Sequence, residues 1–80
     1  MTLEQLADAI VANVKTGKWL SATFVVDGMP AGVGVKAYGR WVQRIECCGI
    51  TTGVAEQKTN KALRAAVLDE LAAIKRTIGA

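Results

Sequence analysis

Along residues 2–17, TLEQLADAIVANVKTG, apolar side chains recur at Leu3, Leu6, Ala7, Ile10, Val11 and Val14. This spacing lines one face of a helix with 3.6 residues per turn. Thr2 and Gln5 fit a capping box, in which each side chain satisfies the other's unpaired backbone N–H, and Gly17 supplies a left-handed stop. An amphipathic helix is therefore predicted here. From Lys18 the period changes to two, with Leu20, Ala22, Phe24 and Val26 on one side and Trp19, Ser21, Thr23 and Val25 on the other. That alternation predicts a strand. Asp27-Gly28 opens a reversal, Pro30 interrupts it because proline cannot donate to a strand ladder, and Gly32 restarts the chain.

Between Gly32 and Cys48 the residues Val33, Val35, Ala37, Trp41, Ile45 and Cys47 are all odd-numbered, and Lys36, Tyr38, Arg40, Arg44 and Glu46 are all even. The run exceeds a normal strand, so a turn is expected around Tyr38-Gly39-Arg40. A loop of odd length would pair Ala37 with Trp41 and Val33 with Ile45; the rival is one long strand bent at Gly39. The turn reading sends Trp41 into the core and turns the even set outward. After Gly49, ITTG reads as a polar connector. It leads to a second helix starting between Val54 and Thr59, with Leu63, Val67, Leu71, Ile74 and Ile78 as its core stripe. Lys75 and Arg76 suit the negative end of the helix dipole, and Gly79 suits a C-terminal stop. The expected fold is α+β: helix, three-stranded antiparallel sheet, helix (α-β-β-β-α), in two layers with both helices on one sheet face.

Composition changes this picture little but narrows the chemistry. Eighty residues, 51% apolar and 21% charged, suit one folded domain spanning 1–80. No apolar run approaches the roughly twenty residues that cross a bilayer. Met1-Thr2-Leu3-Glu4 lacks the basic start of a signal peptide, so a cytoplasmic location is expected. Cys47 and Cys48 are adjacent and on a strand would point to opposite faces, which favours reduced thiols over a cross-link. With no histidine, two cysteines cannot complete a four-ligand zinc site, and no metal or other cofactor is expected. The same absence removes Ser-His and Cys-His nucleophiles. Ser21 is the only serine, and Asp27, Glu46, Glu56, Asp69 and Glu70 form no evident acid–base pair. A noncatalytic protein is expected. Cys48 reads either as an exposed thiol beside Arg44 and Glu46 or as a small buried hydrophobe, the commoner state of cysteine.

What remains is binding. The net charge is +3, and VKAYGRWVQR, residues 35–44, concentrates cations and aromatics. Lys36, Tyr38, Arg40 and Arg44, with Trp19 as a neighbour on the first strand, form the candidate partner-binding set; the plain alternative is a solvated polar face. KAYGRWV superficially looks like an RNA-recognition strand, but Tyr38 and Trp41 differ in parity and would not share one face of a regular strand.

The helix, three strands, helix order resembles the double-stranded RNA-binding domain. That resemblance implies phosphate contacts at the start of the last helix, where EQKTNKALRAA offers Lys58, Lys61 and Arg64. The family's histidine loop is replaced by DGMPAG, and its Ser-Lys-Lys helix start is missing. Cations early in a helix oppose its dipole, and a bound anion would relieve that cost. GKWLSATF, VKAYGRWVQRIE and EQKTNKALRAA together resemble the short accessory proteins of bacteriophages and prophages. This implies a small noncatalytic inhibitor, of the anti-CRISPR type, that binds a bacterial protein or nucleoprotein complex in the host cytoplasm. A nucleic-acid-binding module is the alternative. Self-association, as a homodimer through the alanine-rich helix or an unpaired strand edge, is compatible with both.

Overall fold

The computed structural model describes residues 1–79. The capping box forms as the sequence predicts: the Thr2 hydroxyl accepts from the Gln5 N–H at 3.1 Å, and the Gln5 side-chain oxygen accepts from the Thr2 N–H at 2.8 Å. Helix α1 spans Leu3–Asn13. A 3-10 turn over Val14–Thr16 and Gly17 at φ 67° end it, so the glycine takes the left-handed position that side chains avoid. Strands β1 (Leu20–Phe24), β2 (Val33–Tyr38), β3 (Trp41–Cys47) and β4 (Ile50–Val54) come next, and α2 (Asn60–Gly79) closes the chain. The sheet is a four-stranded antiparallel meander in the order β1-β2-β3-β4.

Three expectations need correction. The segment ITTG is not a connector: Ile50–Val54 is a fourth strand, with Ile50 opposite Cys47 and Thr52 opposite Ile45. The two turns are each two residues long. Gly39 has φ 56° and Arg40 a negative φ, the pattern of a type II′ turn, while Cys48 and Gly49 are both positive at 53° and 78°, as type I′ requires. An even loop after Tyr38 reverses the parity of the next strand. Tyr38 therefore pairs with Trp41, Ala37 with Val42, and Val35 with Ile45. Val42 is buried and Trp41 is 38% exposed, the opposite of the expectation.

Parity is restored by a bulge. Lys36 pairs with Arg44 but Ala37 pairs with Val42, leaving Gln43 as the extra residue of β3. Ile45 and Cys47 consequently return to the core face. The same irregularity appears on the other side of β3, where Gly53 alone lies between the Val42–Val54 and Ile45–Thr52 pairs. A Cβ on Gly53 would sit 3.0 Å from the carbonyl oxygens of both Val42 and Gln43. Glycine at 53 lets the β4 backbone approach the bulge.

Deletion of Gln43 would remove only the unpaired residue and keep Val42 inward and Arg44 outward. The variant is expected to retain a cooperative fold, whereas deletion of Lys36 would turn part of β2 inside out and abolish it. Thermal melts followed by circular dichroism compare the two; loss of cooperative unfolding in both would refute this account of the bulge.

The core is one cluster. Val33, Val35, Ala37, Val42, Ile45, Cys47 and Val54 from the sheet meet Leu6, Ala7 and Ile10 of α1 and Leu63, Val67, Leu71 and Ile74 of α2. Each large aliphatic side chain withdrawn in this way stabilises the fold by about 1.5–3 kcal/mol before chain entropy is counted. Helix α2 packs over β4 and β3, and α1 lies against α2 with a smaller contact to β1. The Thr59 hydroxyl accepts from the Ala62 N–H at 3.0 Å, so the start of α2 has a side-chain cap. Both helices lie on one face of the sheet, and the other face is left open. Among the described residues no charged or polar residue is buried, and no helix is long and apolar enough to cross a membrane.

Candidate functional site

The open sheet face gathers residues that are far apart in the sequence. Trp19 immediately precedes β1, Tyr38 ends β2 and Trp41 begins β3. The Leu20–Ala37 and Tyr38–Trp41 pairs bring these three positions side by side. The Trp19 and Tyr38 ring centroids are 5.2 Å apart at 47°, and those of Trp19 and Trp41 are 5.7 Å apart at 63°. Tilted and edge-on contacts of this kind suit the ring quadrupole. All three residues nevertheless keep 38–48% of their surface exposed. Lys36 Nζ lies 5.3 Å from the centre of the Trp19 ring, a cation–π geometry that anchors the charge at the edge of the cluster.

The next row of the sheet is Ser21, Lys36 and Arg44, in direct register across β1, β2 and β3. Like charges placed opposite each other destabilise a strand pair. Among the described residues neither cation has a carboxylate within ion-pair distance. An aromatic cluster therefore adjoins a cation pair that an anionic group from outside would stabilise.

Of the sequence-predicted residues, Trp19, Lys36, Tyr38 and Arg44 are brought together. Arg40 is engaged elsewhere: its Nε donates to Asn60 Oδ1 at 2.9 Å, and its carbonyl accepts from the Gln57 N–H at 3.0 Å. It ties the β2–β3 turn to the start of α2. Trp41 escapes the sequence-based set because the parity argument sends it inward. The signal that could have found it is Trp41-Val42 itself, two adjacent large apolar residues that cannot both face the core of a regular strand.

The candidate phosphate contacts divide. Arg64 Nε donates to Asp8 Oδ1 at 2.7 Å, an ion pair joining the two helices. Lys58 and Lys61 are exposed, Lys58 before α2 and Lys61 in its first turn, which has no acidic residue. On the helix side an open apolar groove of about 980 Å³ runs between the start of α1, the β1–β2 loop and the end of α2, with Leu3, Met29 and Ile78 lining it beside Lys75 and Arg76.

The cysteines are free, Cys47 buried and Cys48 exposed, so the buried reading does not hold for Cys48. Their sulfurs are nonetheless 3.8 Å apart, because Cys48 leaves the strand for the turn. The Cys47 thiol donates to the Ala31 carbonyl at 3.6 Å, and burial pushes its pKa up, which suppresses the thiolate. Iodoacetamide on the folded protein is expected to label Cys48 within minutes and to leave Cys47 unmodified until denaturant is added, as read by intact mass and peptide mapping. Equal labelling of both would contradict this placement.

Comparison of the chain with protein-family models, curated proteins and solved structures gives no match.

Proposed function

We propose that this protein is a noncatalytic binding module whose working surface is the open sheet face. Trp19, Tyr38 and Trp41 act as apolar anchors, and Lys36 and Arg44 recognise acidic groups. The carrying observation is the pairing of three part-exposed rings with two cations that lack carboxylate partners among the described residues. Aromatic and arginine side chains at the centre of a patch are the residues that dominate protein–protein binding energy. The resemblance to phage accessory proteins supplies the class of partner: an acidic surface on a bacterial protein or nucleoprotein complex, with inhibition as the outcome, as for anti-CRISPR proteins. The bacterial cytoplasm is the matching location.

A nucleic-acid partner is the second reading. It gains from Tyr38 and Trp41 sharing one face, which removes the parity objection to a stacking platform. It loses from ring planes inclined at 47° and 63°, which pack against each other instead of presenting parallel surfaces to successive bases.

The test is capture from bacterial lysate by tagged protein, with and without nuclease, against the double variant Lys36→Glu, Arg44→Glu. A protein retained after nuclease by the wild type and lost with the variant supports the proposal. Retention by the charge-reversed variant refutes it. Capture that vanishes with nuclease, and binding of duplex or single strands that weakens steeply with salt, would favour the second reading.

A further inference from the structure

The two ends of the sheet are unlike. At β4 the helix layer reaches the edge: α2 packs on this strand, and the Thr52 hydroxyl donates to Glu70 Oε2 at 3.1 Å. At β1 it does not. Ala22 is opposite Val35 and therefore on the core face, yet Ala22 is exposed while Val35 is buried. Ser21 and Thr23 are exposed as well, and β1 pairs only with β2. Folded proteins protect such edges with charge, proline, a bulge or a cover, because the unpaired N–H and C=O groups otherwise recruit another strand. The β1 sequence LSATF carries neither charge nor proline, and its register with β2 is unbroken.

We propose that the occupant of this edge is a second copy of the chain, with β1 pairing antiparallel to its twin about a two-fold axis at Ala22. The two sheets then become one of eight strands. Self-complementarity singles out this register. On the core face, Leu20 of one copy meets Phe24 of the other, and Ala22 meets Ala22, so the half-buried Leu20 and Phe24 are covered. On the open face, Ser21 meets Thr23, small hydroxyl side chains with no opposed charges. Moving the axis to Thr23 would require Val25, whose carbonyl already accepts from the Met1 ammonium at 3.1 Å. Moving it to Ser21 would set Lys18 against Phe24. An isologous strand pair is also a closed assembly, which an open-ended edge contact is not.

The dimer places both aromatic clusters on the same continuous face. The two copies of Trp19 would be separated by six strand positions, about 20 Å along the seam. This inference does not depend on what the open face binds.

Analytical ultracentrifugation over a concentration series is expected to show a species of twice the 8.4 kDa chain mass. Ala22→Lys, which opposes two charges at the axis, should convert it to monomer without changing the circular dichroism spectrum. Ala22→Cys in a Cys48→Ser background should form an interchain disulfide on mild oxidation, seen as a dimer band on a non-reducing gel; it also decides the matter if Ala22→Lys fails to fold. A wild-type chain that stays monomeric into the millimolar range overturns the proposal. So does an Ala22→Lys variant that remains dimeric, or an Ala22→Cys dimer that does not cross-link. Recovery of a foreign strand on this edge by a monomeric chain also overturns it.

Discussion

Replacing Ile45 by alanine is expected to lower the unfolding free energy by about 2–5 kcal/mol. Ile45 is fully buried on β3, paired with Val35 on one side and Thr52 on the other. Neither neighbouring strand can readily move to fill the space, because β2 is held between the β1 and β3 ladders and β4 is held by β3 and by α2. The lost transfer energy is therefore joined by the cost of a cavity. A chain of 80 residues has a total stability of roughly 4–12 kcal/mol, so one such change removes a large share of it. Urea unfolding followed by tryptophan fluorescence reads the effect, since Trp19 and Trp41 sit on the opposite sheet face and are not altered directly. The midpoint should fall with the slope unchanged. A loss below about 1 kcal/mol would show that the sheet and helices can close over the gap, contrary to the packing described.

Replacing Trp41 by alanine should act on binding as well as on stability. Trp41 is part-exposed and its ring contact is with Trp19 at 5.7 Å. The stability cost is that of one aromatic pair plus the covered part of the side chain, about 2–3 kcal/mol in all. Its effect on binding is the one that tests the proposed site. It lies in the aromatic cluster proposed as the anchor, and truncating an anchor of that kind costs about 2 kcal/mol or more, a loss of about 30-fold in affinity. Calorimetric titration of the captured partner with wild type and Trp41→Ala measures this, and urea unfolding of both provides the control. Unchanged affinity would remove the open face from the proposed function. A destabilisation well above about 3 kcal/mol would show that the Trp41 ring is packed more tightly than its exposure indicates.

The sequence pattern alone places Trp41 in the core, and that misplacement shows where sequence reasoning loses hold. Over residues 33–38 the pattern and the structure agree, with Val33, Val35 and Ala37 inward and Lys36 and Tyr38 outward. They part at the turn: a loop of two residues instead of an odd number inverts every later side chain, and Gly39 is compatible with both. The bulge at Gln43 then cancels the inversion, so Ile45 and Cys47 face the core as the pattern predicts, although through different pairings. ITTG does not read as a strand because its apolar content is low, yet it contains two β-branched threonines that suit a half-exposed position beside β3. For the candidate site, Trp19, Lys36, Tyr38 and Arg44 are legible from the even-numbered row and the first strand. The diversion of Arg40 to Asn60 and of Arg64 to Asp8 is not, since those contacts join segments 20 and 56 residues apart.

By itself the sequence determined what depends on neighbouring residues: the α1 capping box, the amphipathic faces of both helices, the Gly17 stop and the α+β class. It also determined a chemistry without histidine nucleophiles, because composition needs no fold. Only the tertiary structure decided which face Trp41 joins, that a fourth strand completes the sheet, which cations are already partnered, and that the helix layer covers β1 only in part. The physical reason is range. Helix periodicity and capping are satisfied within one or two turns of chain, whereas the facing of a strand is inherited across a loop and corrected by a bulge that packs closely against Gly53 on a different strand.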